Sequence, residues 1–159
     1  MNQQSLKIYC DGGARGNPGP GASAFVVTKD TKVVYGESRF LANTTNNFAE
    51  YNAVLMALNW LQKNEKFSRG KTSVLLLDSE LVVKQLNGEY KIKNEKLKLL
   101  AMQAKKLEEK LGRKVFYKSI PRSKNVLPDS LVNKEIDENL NGFHVQKSVV
   151  LSSKEQPLF

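Results

Sequence analysis

Leu6, Ile8 and Cys10 alternate with Lys7 and Tyr9 until Asp11 and two glycines stop the pattern, so the chain opens on a strand that feeds a tight turn. Ala22 to Thr28 reads as a second strand, Lys29-Asp30-Thr31 as a polar turn, and Lys32 to Phe40 as the return strand of an antiparallel meander. From Asn47 to Asn64 the period changes. Glu50, Ala53, Val54, Ala57, Leu58 and Leu61 fall at helical spacing, which predicts one face of an amphipathic helix with Glu50 at its head. Thr72 to Leu77 is a short aliphatic run closed by Asp78, the pattern of a central strand buried on both sides.

Leu81, Val82, Gln85 and Leu86 predict a short helix ended by Asn87-Gly88. Asn94 caps a longer one with Leu97, Leu100, Ala101, Ala104, Leu107 and Leu111 on one face, and Gly112 terminates it. Lys114 to Ile120 reads as a fifth strand and Pro121 to Leu127 as a loop. Pro128 then opens a last helix whose face carries Asp129, Val132, Ile136 and Leu140. The order β-β-β-α-β-α-α-β-α is that of an α/β domain, a five-stranded mixed sheet with helices on both faces. We assign residues 1–142 to this domain and 143–159 to a C-terminal extension without clear period, in which Val145 and Val149 to Leu151 are the residues able to pack on the body.

The chain has 159 residues, 40% of them hydrophobic, enough for one buried core. Lysine and arginine number 25 against 16 acids, a formal charge of +9, which points to a polyanionic partner, nucleic acid first. The single cysteine, Cys10, excludes an internal disulfide and sits where a small buried thiol fits. No apolar run approaches the roughly 18 residues that span a bilayer, so the expected location is cytoplasmic, with no membrane contact and nothing that requires more than a monomer.

Asp11, Glu50, Asp78 and Asp129 are expected at strand ends or helix starts, poised to converge. A hard cation such as magnesium prefers carboxylate oxygens and keeps several waters, so a phosphodiesterase site needs a few acids rather than a closed cage. Two ions roughly 4 Å apart can activate water and stabilise the leaving oxygen. Asp11, on a central strand, is best placed to bridge them. Each acid alone has an ordinary explanation at a strand end or in a first helical turn. Glu50 resists it, because its neighbours Ala53, Val54 and Ala57 are apolar and an inward carboxylate is costly unless paired or metal-bound. Asp129 poses the same problem. The segment from Asp11 to Gly21, rich in glycine and proline, is either a hairpin entry or a loop whose amides hold anionic oxygens.

Taken together, Asp11-Gly12-Gly13-Ala14-Arg15-Gly16-Asn17-Pro18-Gly19-Pro20-Gly21, Thr44-Thr45-Asn46-Asn47-Phe48-Ala49-Glu50, Asp78-Ser79-Glu80-Leu81-Val82-Val83, Asn87 to Asn94, and Ile120-Pro121-Arg122 with Asn125 and Asp129 resemble the signatures of the type 1 ribonuclease H family, in its compact prokaryotic form. The match runs in order from about Leu6 to Leu140. It implies a ribonuclease H-like fold and an endonuclease that hydrolyses the RNA strand of an RNA·DNA hybrid with magnesium or manganese, two ions per site. Asp11, Glu50, Asp78 and Asp129 would be the metal-binding catalytic set. Gly12 and Gly13 would bring backbone groups to the RNA, and Asn17, Thr45, Asn46 and Asn47 would contact the DNA strand. Hybrids are read through shape and minor groove, with the 2′-hydroxyl separating RNA from DNA.

The chain departs from the family in several places. The loop Arg122 to Pro128 lacks the family's histidine, and Arg122 is assigned the supporting role. Ser119 stands where a histidine often precedes Ile-Pro-Arg, Pro128 and Val132 replace usual alanines, and the lone His144 lies past the last matched helix. Lysines from Lys91 to Lys114 crowd the third helix, where relatives grip DNA. The terminal Gln156, Leu158 and Phe159 resemble clamp-binding peptides of replication proteins. Two rivals remain, a relative acting on DNA junctions and a binding module that lost its chemistry. Retention of all four acids weighs against the second, since a pure binder gains nothing from negative charge beside phosphates.

Overall fold

The computed structural model describes residues 4–141 and the backbone of 148–150. Strands β1 (Ser5–Ala14), β2 (Gly19–Lys29) and β3 (Lys32–Thr44) form the expected meander, followed by α1 (Asn46–Lys63), a single turn α2 (Glu65–Ser68), β4 (Thr72–Leu77), α3 (Glu80–Leu86), α4 (Glu95–Leu111), β5 (Val115–Ser119), a 3-10 turn at Arg122–Lys124 and α5 (Val126–Leu140). All five expected strands are present. A sixth, β6 (Ser148–Val150), pairs antiparallel with β3 inside the segment read as an extension. Three residues are too few for an alternation to register. The sheet order is β5-β4-β1-β2-β3-β6, with β1 parallel to β4, β4 parallel to β5 and the remaining pairs antiparallel.

Strand alternation splits the core in two. Leu6, Ile8, Cys10, Phe25 and Val27 face α1 and α4 with Leu75 and Leu77, while Ala22, Ala24 and Val26 of the opposite face pack on Leu131, Val132 and Ile136 of α5. Helices thus cover both faces, as expected. Cys10 is fully buried. Cap chemistry sets the helix ends: Thr45, Ser79 and Asn94 side chains accept from Phe48, Val82 and Leu97 N–H, and Gly112 ends α4 in the left-handed conformation that spares glycine a Cβ clash. Two expected core positions are exposed instead, Leu81 at 42% and Leu140 at 53%, and Val83 takes the inward place in α3.

Asp11 does not end its strand. β1 continues through Gly12 and Gly13, which pair with Ser23 and Ala22, so only the stretch from Arg15 to Pro18 is a turn. The reason lies in packing. A Cβ on Gly12 would come within 2.2 Å of the Ala49 carbonyl carbon in the first turn of α1, whereas one on Gly13 meets nothing closer than 3.9 Å. Opposite Gly12, the Ser23 hydroxyl donates to the Ala49 carbonyl at 2.6 Å. Helix α1 therefore sits directly on the β1 and β2 backbone at the residue before Glu50.

Gly12→Ala is expected to destabilise the protein by about 3 kcal/mol, since the obstruction is backbone and cannot step aside, while Gly13→Ala stays within about 1 kcal/mol. Urea denaturation of the two variants checks this; equal losses would contradict the packing account.

Candidate active site

β1 and β4 are parallel neighbours, with Tyr9 beside Leu76. Two residues further along each, the same register sets Asp11 beside Asp78, on adjacent strands roughly 4.8 Å apart. Glu50 enters from the first turns of α1, held down at Ala49, and Asp129 from the first turn of α5. Carboxylate oxygens of Asp11, Glu50 and Asp78 lie within 4.8 Å of one another. Asp129 is close enough to share a hydrogen bond with Asp11. The four expected acids come together.

Such crowding has an electrostatic consequence. Burial, and then the charges of Asp78 and Asp129, push the Asp11 carboxyl from its ordinary 3.8 up to about 7. Burial, followed by Asp11 and Asp78, likewise holds Glu50 well above the usual carboxylate range. Glu50 Oε2 is buried with no hydrogen-bond partner among the described residues. None of the four acids joins an ion pair there; the pairs are Arg15–Asp137, Glu80–Lys84 and Glu95–Lys98. Three converging carboxylates, one orphaned oxygen and no neutralising lysine or arginine form a donor set that fits a hard divalent cation.

Beside the acids, the turn after β1 is stitched to the start of α1. The Ala14 amide donates to Asn46 Oδ1 at 2.9 Å, and the Asn46 amide donates to Asn17 Oδ1 at 3.0 Å. Asn17, Thr45 and Asn46 are exposed and Asn47 half-buried, so these four expected contact residues form one surface. Gly12 is buried, and its visible work is to admit α1. Arg122 is exposed on the 3-10 turn, and its guanidinium makes no hydrogen bond or ion pair among the described residues. His144, Gln156, Leu158 and Phe159 lie outside the described residues.

The family model of RNase H matches residues 3–149. The chain belongs to the RNase H family. Among relatives, it is 38% identical over 133 residues to the bifunctional protein Rv2228c of Mycobacterium tuberculosis, covering 82% of this chain and 35% of that protein. It is 33% identical over 135 residues to ribonuclease HI of Halobacterium salinarum, covering 84% of this chain and 65% of the relative. The chain thus spans about a third of the mycobacterial relatives it matches. Among solved structures, LC11-RNase H1 isolated from compost matches with a TM-score of 0.82 at 38% identity, over 88% of this chain and 99% of that one. The same RNase H1 in complex with an RNA/DNA hybrid matches with a TM-score of 0.82 at 36% identity, over 86% and 99%.

One RNase H residue drew no role from the sequence beyond its place in a motif. Asn125 is fully buried just before α5, yet its side chain does not cap the helix. Its Nδ2 donates to the Cys10 carbonyl at 2.8 Å, next to Asp11, while its backbone carbonyl accepts from the Asp129 amide at 3.3 Å. Asn125 therefore fixes α5 against β1 and sets the distance between two acids. An asparagine four residues before a motif acid was the available signal, but its use across 115 residues was not.

Because folded Asp11 keeps its proton up to about pH 7 and the unfolded chain releases it near 3.8, cation-free protein is expected to lose stability as pH rises through that window. Asp11→Asn flattens this slope and raises stability at pH 7.5 by on the order of 2 kcal/mol in chelator. Added magnesium stabilises the native chain more than the variant. Thermal melts across pH, with and without magnesium, check both; a slope unchanged by Asp11→Asn would refute the assignment. Asn125→Ala is expected to cost about 1–3 kcal/mol in the same melts by removing a buried donor.

Proposed function

We propose that this chain is a ribonuclease H that hydrolyses the RNA strand of RNA·DNA hybrids internally, serving the removal of RNA from hybrids in replication and repair. The observation that carries the reading is the convergence of Asp11, Glu50 and Asp78 within 4.8 Å, with Asp129 against Asp11, in a member of this family. The hybrid complex of the similar LC11-RNase H1 supports the substrate class.

Asp11, Glu50, Asp78 and Asp129 would hold two magnesium or manganese ions, which would supply Lewis acidity and an activated water at neutral pH. Asp11, whose carboxyl neighbours all three other acids, would be the shared ligand. The surface of Asn17, Thr45, Asn46 and Asn47 orients the DNA strand, and Gly13, only half-buried, leaves room for the RNA backbone beside Asp11. The exposed Lys91, Lys93, Lys96, Lys105, Lys106 and Lys110 around α4 extend the phosphate-binding surface. Arg122, exposed after β5, supports the transferred charge or product departure in place of a loop histidine. A clamp contact through Gln156, Leu158 and Phe159 rests on the tail's sequence alone.

Purified protein with magnesium or manganese is expected to cut a labelled hybrid internally and leave the free RNA strand largely intact. Asp11→Asn should lose activity beyond the ~10–100-fold cost of losing a supporting partner of a metal site, while binding hybrid at least as well. Gel analysis with both metals decides the matter; hybrid left whole in both would sink the reading, and hybrid binding without turnover would mark a binding module.

A further inference from the structure

A cavity of about 450 Å³, which none of the four acids lines, lies between β1, the β2–β3 turn and the start of α5. Its size falls within the range of small-molecule sites, ~300–1,000 Å³. Its walls divide by chemistry. Lys7 and Lys124 supply two ammonium groups, Asp30 one carboxylate, and Tyr9 a half-buried ring beside the apolar Val126 and Leu127. Neither lysine nor Asp30 forms an ion pair among the described residues, and all three are exposed. Val126 is apolar yet 57% exposed.

This combination selects among ligands. Two cations favour an anion, an aromatic ring with aliphatic neighbours favours a planar apolar body, and the lone carboxylate disfavours a purely acidic partner while accepting from a hydroxyl or amine. A nucleotide carries all three features: phosphate, base, and ribose hydroxyl or exocyclic amine. The location suits it too. By strand alternation Lys7 and Tyr9 share the sheet face of Asp11, and Lys7 lies four residues back, roughly 13 Å at the ~3.3 Å rise of a strand.

We propose that this cavity binds a single nucleotide unit, either a free mononucleotide or the unpaired end of a strand that runs on from the acids across the sheet. The second source rests on the hybrid-cleavage reading; the first does not.

The test uses the full chain in chelator, titrated calorimetrically with adenosine 5′-monophosphate, inorganic phosphate and adenosine. Adenosine monophosphate should bind more tightly than either fragment, equally to the native chain and to Asp11→Asn, and at least about tenfold more weakly to the double variant Lys7→Gln, Lys124→Gln. In parallel, a hybrid with a single-stranded overhang is compared with a blunt one. An overhang advantage of about threefold that disappears in the lysine variant assigns the strand end, whereas mononucleotide binding without that advantage assigns the free ligand. Blunt-hybrid cleavage should be unchanged in the lysine variant, which separates this site from the catalytic one. Absence of both mononucleotide binding and overhang advantage overturns the proposal. So does binding that survives the lysine changes but vanishes in Asp11→Asn, or phosphate binding as tight as the nucleotide's. If blunt hybrid is not cut by the native chain, the catalytic reading fails while the mononucleotide result stands.

Discussion

The contact between the first turn of α1 and the backbone of β1 at Gly12 is the constraint on which the acidic cluster depends. A helix normally rests on a sheet through side chains, which keeps the two backbones well apart. Here Gly12 contributes none, and Ser23 across the ladder donates to the same Ala49 carbonyl that Gly12 admits. The helix start is pinned one residue before Glu50, so a carboxylate that helical periodicity alone would leave on an ordinary inward face is brought to Asp11. Any side chain at position 12 would move the helix, and the acid with it.

The other two acids reach the same place by different means. Asp78 arrives by strand register, needing no contact beyond the β1–β4 ladder. Asp129 arrives through the second core, where Leu131, Val132 and Ile136 seat α5 on Ala22, Ala24 and Val26, with Asn125 as the polar pin to β1. Small alanines on β2 let the helix approach, and the exposed Arg15–Asp137 pair adds a lateral tie of the modest kind expected at a surface. Three mechanisms, close packing, register and a buried hydrogen bond, thus set four side chains.

Much of this was legible in the sequence because it is local. The helical spacing around Glu50, the aliphatic run ending in Asp78 and the cap at Asn94 each state their structure within a dozen residues. What escaped is long-range. Gly12 and Gly13 read as the end of a strand, since nothing nearby says that the residue opposite is a helix backbone. Leu81 and Val83 compete for the inward place in a seven-residue helix too short for its period to choose. Leu140, in phase with Ile136, is exposed because it lies in the last turn of α5. Asn125 stood as a motif residue inside the expected loop Pro121 to Leu127, and nothing local marked it as the residue before α5, which starts at Val126 instead of Pro128, or as a donor to Cys10, 115 positions away.

The charge distribution explains why the acids and the surplus of base belong to one device. A net charge of +9 favours a polyanion at the surface, yet Asp11, Glu50 and Asp78 form a largely buried cluster of carboxyl groups that repels phosphate. The upward displacement of Asp11 and Glu50 shows the scaffold's own response, retention of protons where negative charge is too dense. Protons relieve that repulsion but also remove the ligand character of the oxygens, so the protonated site neither attracts phosphate nor holds a cation well. Divalent cations held by Asp11, Glu50 and Asp78 would relieve it while leaving those carboxylates ionised. The same crowding that raises the carboxyls of Asp11 and Glu50 is therefore what would favour a cation over a proton at these oxygens.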